Sequence, residues 1–511
     1  MSNQRKSVVI IGGGMGGLFT GALLAKNGFH VTVLEKNIGL GGGLQTFIRN
    51  GEKFDTGMHV LGGFTEGGSI RKICEYLGVF DQLKIVDIPS GCMDEIVIRD
   101  ESDKYMIPAG KEAFIAYLSA RFPEESKGIR KYVDKIYEIS TEMPLFYLKE
   151  EVPERWNYSE AFTQSADSLI AGYVSDSGLR DILAYLSPFY DGREGVTPAY
   201  IHALINVLYI NGSSRFAGNS VTMAAALKGV IERYGGSVEC RKTVKEIKVC
   251  DKEIRSVITS DGSEYKADCY VSAINPLCLL DLVPKGSFTR AFEKRVRSIP
   301  LTGSAFSVYI LFKQDSFPYI DHTCYYYRDY GYIWNQTSVK REEWPAGFMY
   351  MTPPEEFQGR YARKMLVHCM MSFKEVERWE HTTTGHRGED YERWKREKIE
   401  RVLDELEKLF PDIRDKIENV YAGSPLTIRD YYNSPGGAAY GFMKDSRNLM
   451  LSQLSANTRI SNLYLTGQNI YLHGICGVPL TALLTSCAVI GNNDLVRRIR
   501  NGETEININE E

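Results

Sequence analysis

The segment Ser7-Val8-Val9-Ile10-Ile11-Gly12-Gly13-Gly14-Met15-Gly16-Gly17, continued through Glu35, decides the fold. Val8 to Ile11 is an unbroken apolar run that ends in glycine. Strands buried on both faces of a parallel sheet have this pattern. Leu18 to Asn27 carries helical periodicity and is stopped by Gly28. His30 to Leu34 reads as a second strand, closed by the acid Glu35. Strand, glycine turn, helix, strand and acid fit within about thirty residues, the length of one βαβ unit. Within it, Gly12-x-Gly14-x-x-Gly17 has the spacing a pyrophosphate needs. Gly12 allows the tight turn, Gly14 lets the backbone approach the phosphates, and Gly17 lets the helix pack close to the sheet. The helix N-terminus adds N–H donors and the positive dipole end. The segment therefore predicts dinucleotide binding, with Glu35 accepting from ribose hydroxyls. An acid at this place argues against a 2′-phosphate, but the motif does not choose between NAD and FAD.

Outward from this unit, Gly41-Gly42-Gly43 with Thr46 forms a second glycine cluster, six residues after Glu35. Asn50-Gly51 predicts a hairpin turn. Residues 112–205 read mostly as helix, and residues 237–274 alternate as strands around Asp261-Gly262. Residues 301–312 and 324–334 read as strands rich in Tyr and Phe. Residues 391–410 read as an amphipathic helix, 462–465 as a short strand, and 479–490 as an apolar helix opened by Pro479. Thr466-Gly467-Gln468 follows that short strand, and Gly474 and Gly477 precede Pro479. Such glycines would bring a positive helix end close to a flavin ring, where it stabilises negative charge.

Composition bounds the rest. The chain has 511 residues, 43% hydrophobic and 25% charged, with a formal net charge of −4. These values exclude global disorder and a basic field that would recruit nucleic acid. Ten scattered cysteines include no C-x-x-C pair, which points to free thiols in a reducing, cytoplasmic setting. No apolar leader precedes the first strand, and no run of about 18 apolar residues predicts a membrane span. No H-x-x-x-H, H-E-x-x-H or paired-cysteine spacing occurs, so no metal is expected. No G-x-S-x-G elbow occurs either. His202, inside an apolar stretch, reads as a satisfied core histidine, and Cys476 as a small buried filler.

Gly12 to Glu35, Gly41-Gly42 and Phe54-Asp55-Thr56-Gly57-Met58-His59 together resemble the N-terminal signature of FAD-dependent oxidoreductases of the phytoene desaturase group. The branch of carotenoid isomerases and all-trans-retinol 13,14-reductases (retinol saturases) fits best. Asp55-Thr56-Gly57-x-His59, Leu465-Thr466-Gly467-Gln468 and Ser424-Pro425-Leu426-Thr427, followed by Gly437-Ala438 and Tyr440-Gly441, are similar to that branch. The resemblance is strong at both ends of the chain and weak in the middle. Many members of the wider group carry arginine after the paired glycines. Gly43 stands there in this chain, as in the retinol saturase branch.

The resemblance implies an α/β fold. A Rossmann-type FAD-binding domain of the amine oxidase and phytoene desaturase kind would carry an inserted α+β substrate domain. We expect the FAD domain to be discontinuous, from 1–111, 206–285 and 425–511, with the substrate domain built from 112–205 and 286–424. Gly12, Gly14 and Gly17 would hold the pyrophosphate together with Met15 and Gly16. Glu35 would hold the adenosine ribose, Lys36 is a further cofactor-binding candidate, and Val244 would meet the adenine through its backbone. Gly41 and Gly42 would pass the ribityl chain, Gly467 and Gln468 the pyrophosphate–ribityl side, and Gly477 and Val478 the pyrimidine end of the flavin. His59 and Tyr440 are the candidate proton donors to a substrate carbon; packing beside the cofactor is the simpler role for His59.

The implied activity is saturation, desaturation or isomerisation of a carbon–carbon double bond in a lipophilic polyene. Only one dinucleotide fingerprint is present, so the flavin would exchange electrons with a partner or with a visiting NAD(P)H. A carotenoid-like substrate would also call for peripheral contact with a membrane. Two rivals share the fold: a flavin amine oxidase, and a non-catalytic escort protein. The paired aromatics of an amine oxidase are missing around Gly474–Val478, and an escort need not keep a complete flavin pocket.

Overall fold

A computed structural model describes residues 5–57, 60–150, 158–355 and 358–503. The apolar run becomes the strand Ser7–Ile11, which is the centre of a five-stranded, all-parallel sheet. His30–Leu34 and then Ser237–Glu239 pair on one side; Cys269–Ser272 and then Leu463–Leu465 pair on the other. Strands distant in sequence thus become neighbours, with Val8 opposite both Val31 and Cys269. The helix Met15–Lys26 packs against the helices Val221–Arg233 and Gly474–Ile490. It is buried nearly all round, which explains why its sequence is apolar on every face.

The second layer is a seven-stranded mixed sheet. Its order is Ile417–Gly423, Ser304–Phe312, Lys364–Met371, Gly347–Met351, Thr323–Tyr327, Asp94–Ile98 and Asp100–Ile107. Every pair in it is antiparallel except Thr323–Tyr327 with Asp94–Ile98. Thr323–Tyr327 is buried throughout, and its side chains divide by alternation. Cys324 and Tyr326 join the cluster beneath the helix Glu389–Leu409. Tyr325 and Tyr327 join the main core on the opposite face. Helices between Lys111 and Ile210 cover that main core.

Three expectations change. The strands Asp94–Ile98 and Asp100–Ile107 fall within the 1–111 stretch read as cofactor domain, yet their pairing places them in the mixed sheet. The strand read over 324–334 ends at Tyr327, because the chain turns through Asp329–Gly331, with Gly331 at φ +84°. The last long helix begins at Gly474, five residues before Pro479. A proline six positions into a helix removes only one donor, the partner of the Ile475 carbonyl, and the first turn forms without it. The Asn50-Gly51 and Asp261-Gly262 turns form as read, joining antiparallel strands.

Candidate active site

The glycine loop leaves the carboxyl end of Ser7–Ile11. In open α/β sheets ligands bind outside this edge. Gly12 takes φ +107°, a left-handed value that only glycine adopts freely, and its N–H donates to the Leu34 carbonyl (2.9 Å). A Cβ on Gly17 would lie 1.9 Å from the Gly12 carbonyl oxygen, so helix and strand meet there without room for any side chain. A Cβ on Gly14 would meet nothing within 4 Å. That opening lies at the N-cap of Met15–Lys26, where Leu18 N–H takes the Gly14 carbonyl (2.9 Å). The N–H groups of Met15, Gly16 and Gly17 come before that first intrahelical bond and face outward along the axis.

Glu35 is buried and both of its oxygens are engaged. Gly13 N–H donates to Oε2 and Asn37 N–H to Oε1, each at 2.8 Å. Each carboxylate oxygen keeps capacity for a further donor, as two ribose hydroxyls require. The backbone of Glu35 donates to Glu239 (2.8 Å) and accepts from Lys242 (2.8 Å), which draws the start of the strand Val244–Cys250 to this side. Lys36 turns away: its Nζ donates to the Asp430 carbonyl (2.9 Å) at the end of the helix Pro425–Tyr432.

The second glycine cluster docks on the first. Gly41 N–H donates to Gly13 (2.8 Å), and a Cβ on Gly42 would stand 3.3 Å from Gly14 Cα. From the far end of the chain, Gly467 approaches so closely that a Cβ on Gly16 would lie 3.0 Å from its Cα and 3.5 Å from Val478. Thr20 and Thr466 share a buried hydroxyl contact of 3.1 Å. Gln468 follows, half-buried, and Asn469 Oδ1 accepts from Phe442 N–H (2.9 Å), which ties the Tyr440 turn to the same loop. Gly12, Gly14, Met15, Gly16, Gly17, Glu35, Gly41, Gly42, Gly467, Gln468, Gly477 and Val478 are thus gathered along one sheet edge. Gln45, just past the second cluster, was not read from sequence. Its buried Nε2 has no partner among the described residues, and nothing in the surrounding sequence marks it.

Tyr440 and His473 form the other wall. Their rings are 5.1 Å apart. The short turn Ser187–Tyr190 holds both: Tyr440 donates its hydroxyl to the Pro188 carbonyl (2.8 Å), and His473 Nε2 lies 3.2 Å from the Phe189 carbonyl. A carbonyl only accepts, so Nε2 carries the proton and Nδ1 keeps its lone pair. Burial raises the Tyr440 pKa and keeps the phenol neutral. Burial pushes His473 down to about 4, so it is neutral near pH 7. His473 stands at the N-cap position of the helix Gly474–Ile490, without a side-chain bond to it, and lines a cavity of about 50 Å³ with Phe146, Leu204, Leu208, Cys476 and Leu480. Cys476 donates its thiol to the Gly62 carbonyl (2.9 Å), and its pKa is pushed up to about 12 by burial, so it is an inert filler. His202 is a core residue, with Tyr132 on Nε2 (2.6 Å) and Tyr190 on Nδ1 (3.0 Å). His59 lies outside the described residues.

The pieces fit FAD. An open cradle at Gly14, first-turn donors and a buried carboxylate with spare acceptor capacity lie at one edge. The Gly474–Gly477 turn presents a second helix N-terminus there, and packing of Val478 towards Gly16 sets it beside the first.

Comparison with known proteins agrees. A family model for flavin-containing amine oxidoreductases matches residues 15–490. The human all-trans-retinol 13,14-reductase is 30% identical, with 96% of this chain and 86% of that one aligned. Prolycopene isomerase 1 of an Oncidium hybrid cultivar is 24% identical over 94% of this chain and 83% of its own. The crystal structure of an oxidoreductase from Methanosarcina mazei superposes with a TM-score of 0.64 at 17% identity, covering 93% of this chain and 99% of that one. Glycine edge, acid and paired helix termini suit the cofactor these matches imply, and this FAD-dependent oxidoreductase belongs to the flavin-containing amine oxidoreductase family.

Proposed function

We propose that the chain acts on a carbon–carbon double bond of a lipophilic polyene, by saturation, desaturation or isomerisation. The observation that carries this reading is the apolar cavity beside His473, which lies at the N-terminus of the flavin-side helix and is walled by Phe146, Ile201, Leu204, Leu208 and Leu480. Such walls suit a hydrocarbon chain and offer no counter-charge to an ammonium group. The named activities of the human and orchid relatives, a retinol reductase and a prolycopene isomerase, support the same class.

FAD, when bound, supplies hydride transfer. The chain does the rest. Gly12, Gly14 and the first turn of Met15–Lys26 hold the pyrophosphate, and Glu35 holds the ribose. The cavity walls orient the hydrocarbon and exclude water. Tyr440 keeps a neutral hydroxyl proton on the Pro188 carbonyl, with its ring beside His473, which lines the cavity. The Ser187–Tyr190 carbonyls fix both rings, so the proton is held at a defined place. Electrons come from or pass to a partner or a nicotinamide. No helix among the described residues is long and apolar enough to cross a membrane. Collection of the substrate at a membrane surface belongs to this proposal.

The test is anaerobic. The flavin is photoreduced, a panel of retinoids, carotenoids and unsaturated fatty acids is added, and flavin absorbance and product mass are followed. Reoxidation with a two-hydrogen mass gain shows saturation. Product of unchanged mass with reduced flavin shows isomerisation. Oxidised enzyme that is bleached by a saturated substrate shows desaturation. Turnover of amines with no response to any polyene would overturn the reading.

A further inference from the structure

Away from the flavin edge, three potential metal ligands come together across the one parallel pair of the mixed sheet. Glu95 and Cys324 are register partners in Asp94–Ile98 and Thr323–Tyr327. Partners in adjacent strands point to the same face. His322 lies two residues before Cys324 and shares that face. The ligand atoms of Glu95, His322 and Cys324 all lie within 4.8 Å of one another. Cys324 is fully buried, and the Glu95 and His322 side chains are 9% and 16% exposed, so the cluster opens narrowly to solvent.

His322 is already oriented. Its Nδ1 lies 2.9 Å from Asp321 Oδ1, and its Nε2 lies 3.3 Å from Glu95 Oε2. A carboxylate on one imidazole nitrogen, with the other aimed at ligands, is the usual outer-shell arrangement of a metal-binding histidine. Lys104 Nζ stands 2.7 Å from Glu95 Oε2. A carboxylate has a second oxygen, so that contact leaves a ligand atom.

We propose that Glu95, His322 and Cys324, with water in the fourth position, bind a zinc-class divalent cation that clips Asp94–Ile98 to Thr323–Tyr327. The donor set of thiolate, imidazole and carboxylate selects zinc over magnesium or calcium, which prefer oxygen alone. Tetrahedral bond lengths place sulfur and nitrogen donors roughly 3.5 Å apart, so the widest pair closes by about 1 Å.

Without metal, Glu95 and Asp321 lie against Lys104 and His322, and Cys324 is a buried thiol. With metal, three anions (Glu95, Asp321 and the Cys324 thiolate) face a dication and Lys104. The S–H bond of Cys324 breaks as the metal–sulfur bond forms, its proton leaves to solvent, and His322 ligates through the lone pair of a neutral imidazole nitrogen. Nothing is oxidised or reduced.

The test uses the full-length flavoprotein, stripped of metal by a chelator and titrated with Co²⁺. We expect one equivalent to bind with intense red d–d bands, clear of flavin absorbance, and with release of the Cys324 thiol proton. Zn²⁺ should abolish the bands by competition. His322→Gln and Cys324→Ser should each remove them, while Cys369→Ser, a buried cysteine outside the cluster, should keep them. Asp321→Asn should keep the spectrum and weaken binding by about tenfold. If Cys324→Ser does not fold, His322→Gln decides alone. A wild-type protein without the bands, or bands that survive His322→Gln, would overturn the assignment and leave an ion-paired triad.

Discussion

The five-stranded parallel sheet serves its ligand with backbone, whereas the seven-stranded sheet serves its surroundings with side chains. At the parallel sheet's edge the working atoms are N–H groups and carbonyls, and the essential residues are those that have no side chain. On the mixed sheet, neighbouring positions on one strand do opposite things. Tyr325 and Tyr327 face the main core, while Cys324 faces Glu95 and His322. Backbone function leaves a local signature, because it needs glycines at fixed offsets. Side-chain function across strands leaves none, because its spacing is set by register.

The comparison breaks most sharply at the glycine edge. Gly17→Ala places a methyl group 1.9 Å from the Gly12 oxygen. Overpacking of this kind costs about 1–3 kcal/mol or more, and here it displaces the loop itself. We expect a protein purified without yellow colour and with a lowered Tm. Gly14→Ala is its counterpart: φ is −73° and no atom of the described residues lies within 4 Å of the added Cβ. Its Tm should match the parent's, while flavin retention on gel filtration falls at least about tenfold, because only a ligand fills that space. Equal losses of Tm in both variants would refute the cradle.

Glu35→Gln comes next. An amide presents one acceptor oxygen, so either Gly13 N–H or Asn37 N–H loses its partner. A buried donor left unpaired costs about 1–3 kcal/mol. Chemical denaturation should show that loss, and FAD titration a weaker affinity. An unchanged affinity would remove Glu35 from the ribose site.

A pH series probes the other wall. His473 has its pKa lowered to about 4 by burial, against a usual value near 6.5. The unfolded chain therefore takes up a proton that the folded chain refuses. Stability contributed by neutral His473 is complete above about pH 6.5 and is lost as pH falls through about 4. Asparagine keeps an N–H donor for the Phe189 carbonyl but does not titrate. His473→Asn should thus flatten the fall in urea midpoint across that window, and an unaltered slope would show that His473 is not its source.

The smallest effect is expected from Tyr440→Phe. It removes one hydrogen bond to Pro188, worth about 1 kcal/mol. Flavin content should be unchanged. A fall in turnover at constant flavin content would identify the hydroxyl as the proton source; full turnover would leave it as a packing group.

These differences explain what could be read in advance. Val8–Ile11, Gly12 to Gly17 and Glu35 announce strand, turn and ribose acceptor in one short stretch, and the fold follows. The hairpin at Asn50-Gly51 is legible for the same local reason. The assignment of 94–107 to the mixed sheet was not legible, because nothing in those residues names Thr323–Tyr327 as their partner. Pro479 misled for a related reason: proline favours helix starts, but packing of Val478 against the glycine helix sets the true beginning at Gly474. Gln45 and the Glu95–His322–Cys324 cluster gain meaning only once distant segments have met.

The parallel sheet also sets an order of events. Its five strands come from 7–34, 237–272 and 463–465, and the last of them pairs directly with Cys269–Ser272. A ribosome must deliver more than nine-tenths of the 511 residues before that strand exists. Until then the nascent chain carries its nucleotide fingerprint at the front with no partner for its far edge. Long-range pairing of this kind folds slowly and exposes unpaired strand edges meanwhile. FAD supply late in synthesis, rather than early, should therefore govern the yield of coloured protein.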